Sequence, residues 1–178
     1  GAMGELSVSE LLGKYATLVK SQKVFYTSAI ITAPVIFSTA GQLGPMIWNR
    51  TGSGLDAHIL AVSAGSPTTA SSVAGAISYA SNTQPTQPTT ATALTVTNAY
   101  SGGGTSQMFA FSTATILVAP TNVPFPLISV NIGATSVTGG LAQSFVDLGG
   151  MFVVPPGNVG YVCGNATLSS GVFTLGIL

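Results

Sequence analysis

The spacing of apolar residues changes once along this chain, near residue 24. Before that point Val8, Leu11, Leu12, Tyr15, Leu18 and Val19 recur three and four residues apart, which places them on one face of an α-helix. Ser7 followed by Glu10 is a capping-box pattern, and Glu10 and Lys14 stand four apart in the favourable order. Lys20 and Lys23 lie where the negative end of a helix dipole favours cations. The pattern predicts an amphipathic helix over residues 4–23. Two heptads of stripe are too short to be stable alone. The six apolar residues are therefore the expected anchor or oligomerisation element, docked on the chain's own body, on sister subunits or on another protein.

From Val24 onward the period is two. Val24–Ile31 is rich in β-branched and aromatic residues, and Pro34 interrupts before Val35–Ser38. Leu94, Val96, Asn98 and Tyr100 alternate with Thr95 and Thr97, as on a half-buried strand. Further strands are expected at Met46–Asn49, Ala57–Ser63, Ala76–Ala80, Gln107–Ser112, Thr115–Ala119, Leu127–Asn131, Ser144–Leu148, Met151–Val154, Gly160–Gly164 and Val172–Leu178. Glycine, proline and serine clusters separate them, at 52–54, 66–72, 101–104, 139–140, 149–150 and 155–157. So many short strands with turns between them predict an all-β fold. The leading form is a jelly-roll-like β-sandwich over residues 24–178, preceded by a short N-terminal α-helix. Residues 82–92 carry a Thr-Gln-Pro repeat, whose prolines favour an extended conformation and oppose pairing inside a sheet. They read as an exposed crossing loop, or as a recognition loop at the tip of the molecule.

Charge sharpens this division. Of eight fixed charges in 178 residues, Glu5, Glu10, Lys14, Lys20 and Lys23 belong to the first segment, leaving Arg50, Asp56 and Asp147 for the body, with His58 as the sole histidine. Active sites are built from ionisable groups with tuned pKa values, so this composition argues for a non-enzymatic protein. Ser, Thr and Gly make up 64 residues, and surface polarity must rest on hydroxyls and backbone. A chain that is 46% hydrophobic with zero net charge is expected to fold and to self-associate, as a compact homo-oligomer. No apolar run approaches the roughly 20 residues of a membrane span, so no membrane insertion is expected, and no leader pattern is visible. Residues 1–3, Gly-Ala-Met, read as a protease-cleavage scar. Cys163 is the single cysteine, which permits neither an internal disulfide nor a thiolate metal cluster.

Chemical hypotheses have few residues to draw on. Glycoside hydrolysis would require Asp56 and Asp147 as its carboxylate pair. The plainer roles are a strand-end Asp before Gly149-Gly150 and a neutralising partner for Arg50. His58, between apolar neighbours, reads as a hydrogen-bonded core or interface residue, since one histidine cannot close a metal site within a single chain. No metal and no cofactor is expected. The glycine runs at 52–54 and 102–104 lack a following lysine and helix, and one arginine after residue 23 cannot neutralise a nucleic acid. The sequons Asn49-Arg50-Thr51 and Asn165-Ala166-Thr167 are at chance frequency for so Ser- and Thr-rich a chain. Trp48, Tyr79, Tyr100 and Tyr161 are the aromatic platforms available to a sugar, with Trp48 better read as packed in the core or between subunits.

Three stretches carry a resemblance: Gly44-Pro45-Met46-Ile47-Trp48-Asn49-Arg50-Thr51, the strand Ala57–Ser63, and the tail from Phe145-Val146-Asp147-Leu148-Gly149-Gly150 to Val153-Val154-Pro155-Pro156-Gly157. Together they resemble small structural proteins of tailed bacteriophages, in which a strand ending in Val-Pro-Pro-Gly leads to a final hairpin like Tyr161–Leu178. The likeness runs through most of residues 44–178. It implies a trimeric jelly roll on the virion, made in the host cytoplasm, that decorates the head or forms a short fibre and attaches to capsid or tail through its N-terminal segment. It implies no catalytic residues. The second reading is a receptor- or glycan-binding tip of a phage or bacterial surface structure, working through loops such as 66–72 and 82–92.

Overall fold

The fold is that of a computed structural model, which describes residues 15–32, 41–69, 73–116, 124–132, 144–164 and 171–178. Among the described residues a single helical turn, α1 (Ala16–Lys20), leads into eleven strands. These are β1 (Phe25–Thr32), β2 (Gly41–Asn49), β3 (Ala57–Thr69), β4 (Val73–Thr83), β5 (Thr89–Leu94), β6 (Thr97–Asn98), β7 (Phe109–Thr115), β8 (Phe125–Ile132), β9 (Ser144–Val154), β10 (Asn158–Gly164) and β11 (Gly171–Ile177). They form two sheets, ordered β6-β1-β11-β3-β9 and β5-β7-β2-β10-β4-β8.

Every ladder is antiparallel. Without β5, β6 and β7, the remaining eight strands pair as β1-β11-β3-β9 against β2-β10-β4-β8. Strands far apart in sequence are neighbours, and chain neighbours mostly lie in opposite sheets. This is the jelly roll that the turn-punctuated alternation predicts. The stretch between β4 and β8 supplies the three extra strands: β7 and β5 extend the six-stranded sheet beyond β2, and β6 adds to β1.

Alternation fills the space between the sheets. Ala29, Ile31, Ile59, Val62, Phe173 and Leu175 from one sheet meet Ile47, Ile77, Tyr79 and Val162 from the other. The opposite side chains of β2 and β10 are buried too, in a second cluster of Met46, Trp48, Phe111, Val159, Tyr161 and Cys163. A strand covered on both faces loses its polar alternation. That is why Met46-Ile47-Trp48 and Tyr161-Val162-Cys163 read as unbroken apolar runs.

Several elements differ from the sequence reading. Thr83 closes β4, residues 84–88 cross the sheet end, and Thr89–Leu94 is a strand rather than loop. After Pro88 the Thr- and Ala-rich run carries no further proline, so it can pair with the open edge of β7. The crossing itself is as expected, although Gln84 and Pro88 are buried in it. Gln84 N–H donates to Gly157 O at 2.7 Å, and Trp48 Nε1 donates to Gln84 O at 2.9 Å. The predicted strand at 94–100 splits between two sheets, with Leu94 closing β5 and Thr97–Asn98 pairing with β1 as β6. The Asn98 side chain then fixes the end of β6, its Nδ2 donating to Gln22 O and Gly104 O, both at 3.1 Å, and its Oδ1 accepting Tyr100 N–H at 2.9 Å. Ser144–Leu148 and Met151–Val154 are one strand, β9, carried through a bulge at Gly149 and Gly150, whose φ angles of 60° and 80° suit glycine. Residues 66–69, expected in a loop, belong to β3. Of the predicted helix, α1 covers Ala16–Lys20; Val8, Leu11, Leu12 and the Ser7–Glu10 box lie outside the described residues, as do Val35–Ser38, 70–72, 117–119 and Asn165.

Asn49, at the end of β2, is fully buried and joins four parts of the chain. Its Nδ2 donates to Leu55 O at 2.7 Å and to Val154 O at 2.8 Å, its Oδ1 accepts the Ser53 hydroxyl at 2.6 Å, and its backbone O accepts Gly157 N–H at 2.8 Å. A carboxamide so placed is no glycosylation acceptor. Asn49→Asp keeps the shape but turns a carboxylate toward two carbonyl oxygens. The expected loss is about 3 kcal/mol or more at neutral pH, read as a lower urea midpoint, whereas Thr51→Ala, which removes the same sequon and one exposed hydrogen bond, should cost under about 1 kcal/mol.

Candidate functional site

At one end of the sandwich, where β1 and β3 begin, the sheets part around a cleft of about 690 Å³. This lies in the range of small-molecule sites. Leu18, Lys23 and Tyr26 form one wall, residues 55–60 the other, and 105–108 the roof, with Gly149 and Gly150 at the far rim. Side-chain hydrogen bonds fix these loops. Asn49 and Ser53 hold the 50–55 turn, Gly104 N–H donates to Gln22 Oε1 at 3.2 Å, and Ser106 Oγ accepts Met108 N–H at 2.9 Å.

The fixed charges of the body and its histidine lie toward this end. Asp56 and His58 line the cleft directly, together with Lys23. Arg50 lies behind it, its Nη2 donating to Oε1 of the lining residue Gln107 at 3.3 Å. Asp147 holds the rim: its Oδ1 accepts Gly149 N–H at 2.9 Å and also the Tyr15 hydroxyl. In a chain that spends three fixed charges on 155 residues, their arrival at one end is the main functional signal of the structure.

Each sequence expectation can now be placed. Asp147 lies inside β9 rather than at a strand end, beside the bulge at Gly149 and Gly150 that the strand passes through. Asp56 does not neutralise Arg50, whose guanidinium turns to Gln107 instead. His58 is exposed rather than in the core, because strand parity points Ile59 inward and His58 outward, with Nδ1 3.4 Å from Gly150 O. Asp147 pairs with Ala61, five residues beyond Asp56. That register sets the two aspartates about 16 Å apart along the strand, wider than the roughly 9.5 Å upper limit for a glycosidase pair. Trp48, Tyr79 and Tyr161 are buried, so Tyr100 alone of the four expected platforms faces solvent. Trp48 takes its core reading. Of the anchor stripe, Tyr15 and Val19 are half-buried and Leu18 is exposed at the cleft mouth. Among the described residues no three His, Cys, Asp or Glu side chains cluster as a metal site, and no helix is long and apolar enough to cross a membrane.

Sequence reasoning missed Tyr26 and Thr27. The signal was there in parity: with Ala29 and Ile31 inward on β1, Thr27 must also face in and Tyr26 out. No family model, curated protein or solved structure matches this chain.

Away from the cleft, burial pushes the Cys163 thiol up to about 12 and raises the Tyr79 and Tyr161 hydroxyls well above their ordinary value, with Cys163 adding to the effect at Tyr161. The unfolded thiol ionises near 9.0 and the unfolded phenols near 10.0. Above those values the unfolded state releases protons that the folded state keeps, so stability present below pH 9 declines as pH rises through the range from about 9 to 12. Urea midpoints should fall across that window, and Cys163→Ala should remove the earliest part of the fall. Native protein at pH 8 should leave Cys163 unmodified by a thiol reagent until it is unfolded.

Proposed function

We propose that the protein is a non-enzymatic structural subunit of a virion, a homotrimeric jelly roll that decorates the head or forms a short fibre of a phage particle. The observation that carries this reading is the outer face of the five-stranded sheet. Ile30, Phe145 and Tyr26 stand 71%, 59% and 46% exposed there, and Asp147 is the single fixed charge on the described strands of that sheet. Between Tyr26 and Phe145 runs a groove floored by small residues in register, with Ser28 opposite Gly176 and Gly176 opposite Ser63. Bulky apolar side chains around a small-residue floor favour association with matching surfaces over a free existence in water. The near absence of charge supports it further, because charge is what usually keeps like copies apart. The N-terminal segment, whose α1 turn ends beside the cleft, is the attachment element of this reading.

Light scattering of the wild-type chain should return three times the monomer mass, and Ile30→Lys with Phe145→Lys should reduce it to a monomer with unchanged far-ultraviolet circular dichroism. A labelled copy should appear on the surface of the parent particle in electron micrographs. A wild-type monomer at micromolar concentration, or a particle that carries no label, overturns the proposal.

A further inference from the structure

We propose that the end cleft is a binding site for a small uncharged amphiphile, with its aliphatic or aromatic body between Ile47, Ile59 and Met108 and a hydroxyl or carbonyl group hydrogen-bonded to Thr27. This inference stands apart from the virion reading.

Thr27 lines the cleft from β1. It is 2% exposed, and its Oγ1 has no hydrogen-bond partner. A buried hydroxyl left unpaired opposes folding. Packing gives no reason for it, since valine has the same shape and the inward positions that follow on β1 are Ala29 and Ile31. A ligand group at that oxygen accounts for the threonine.

The depth of the cleft supplies the rest of the specification. Around Thr27 the inner lining is Ile47, Ile59, Val96, Met108 and Ile177, which offers an apolar body dispersion contacts and few other polar partners. At the mouth Lys23 and Asp56 carry opposite charges that cancel, so the site offers a phosphate or carboxylate no net attraction. A saccharide would bury hydroxyls against Ile47, Ile59, Val96, Met108 and Ile177, whose side chains return no hydrogen bond. An amphiphile with one buried polar group fits that wall. Leu18 and Leu55, 42% and 50% exposed at the rim, extend the apolar surface toward solvent.

The test is a titration of the isotopically labelled full chain, followed by amide chemical shifts, with octan-1-ol, octanoate and maltotriose as probes. Octan-1-ol should give saturable shifts at Thr27, at residues 57–60 and at Met108. Thr27→Val should weaken its binding about fivefold or more, the worth of one neutral hydrogen bond. The same variant should melt no lower than wild type, since it removes an unpaired hydroxyl and keeps the volume. Thr27→Ser, which keeps the hydroxyl, should bind as wild type does. The proposal is overturned by any of four results: no saturable shift with octan-1-ol, tighter binding of octanoate or maltotriose, shifts confined to the Ile30 and Phe145 face, or equal affinity in Thr27→Val.

Discussion

The buried carboxamide of Asn49 holds the end of the sandwich on which the candidate site depends. It lies on the last residue of β2, in the six-stranded sheet, and reaches the end of β9 in the other sheet through Val154 O. The same side chain fixes Leu55 and Ser53, and its backbone receives Gly157 from the β9–β10 turn. Buried amides with every position satisfied specify geometry strongly, because any rearrangement strands a polar group away from water. The 50–57 loop is thereby held clear of the core, and the space behind it is the cleft. The bonds that Gln22 accepts from Asn98 Nδ2 and Gly104 N–H do the same work on the opposite wall.

A body with three fixed charges must find stability elsewhere. Here the antiparallel ladders pair the backbone, and the two apolar clusters bury both faces of β2 and β10. Tyr79 shows how closely the sheets pack: its ring stacks on Phe152 with centroids 4.6 Å apart, and its hydroxyl occupies the space above Gly160 where a Cβ would sit. What remains outside is unusual for a free protein, a sheet face with large apolar side chains and one carboxylate. Surface energetics and site chemistry therefore separate in space. The apolar face is the surface that the proposed association would use, and the end cleft is lined by Lys23, Asp56 and His58, three of the chain's few charged or basic side chains.

The sequence alone determined the class of fold. Period-two alternation broken by Gly and Pro clusters placed most strands within a few residues, since both signals arise from local backbone preference and one-sided burial. It gave Asp147 before Gly149-Gly150 a strand-end role, where the strand in fact continues through a bulge. Tertiary structure decided what local preference leaves open. Thr89–Leu94 became a strand because β7 offered an unpaired edge, and Ser144–Val154 stayed one strand because its neighbour β3 runs unbroken past the bulge. The meeting of Arg50, Asp56, His58 and Asp147 at one end follows from jelly-roll pairing, which sets β9 beside β3 although some ninety residues separate them. Spacing along the chain carries no trace of that neighbourhood. Tyr79 and Tyr161 proved buried, and Tyr26 and Thr27 gained their opposite roles, for the same reason: which face of a strand is covered depends on the partner sheet, and partners are chosen by the whole chain at once.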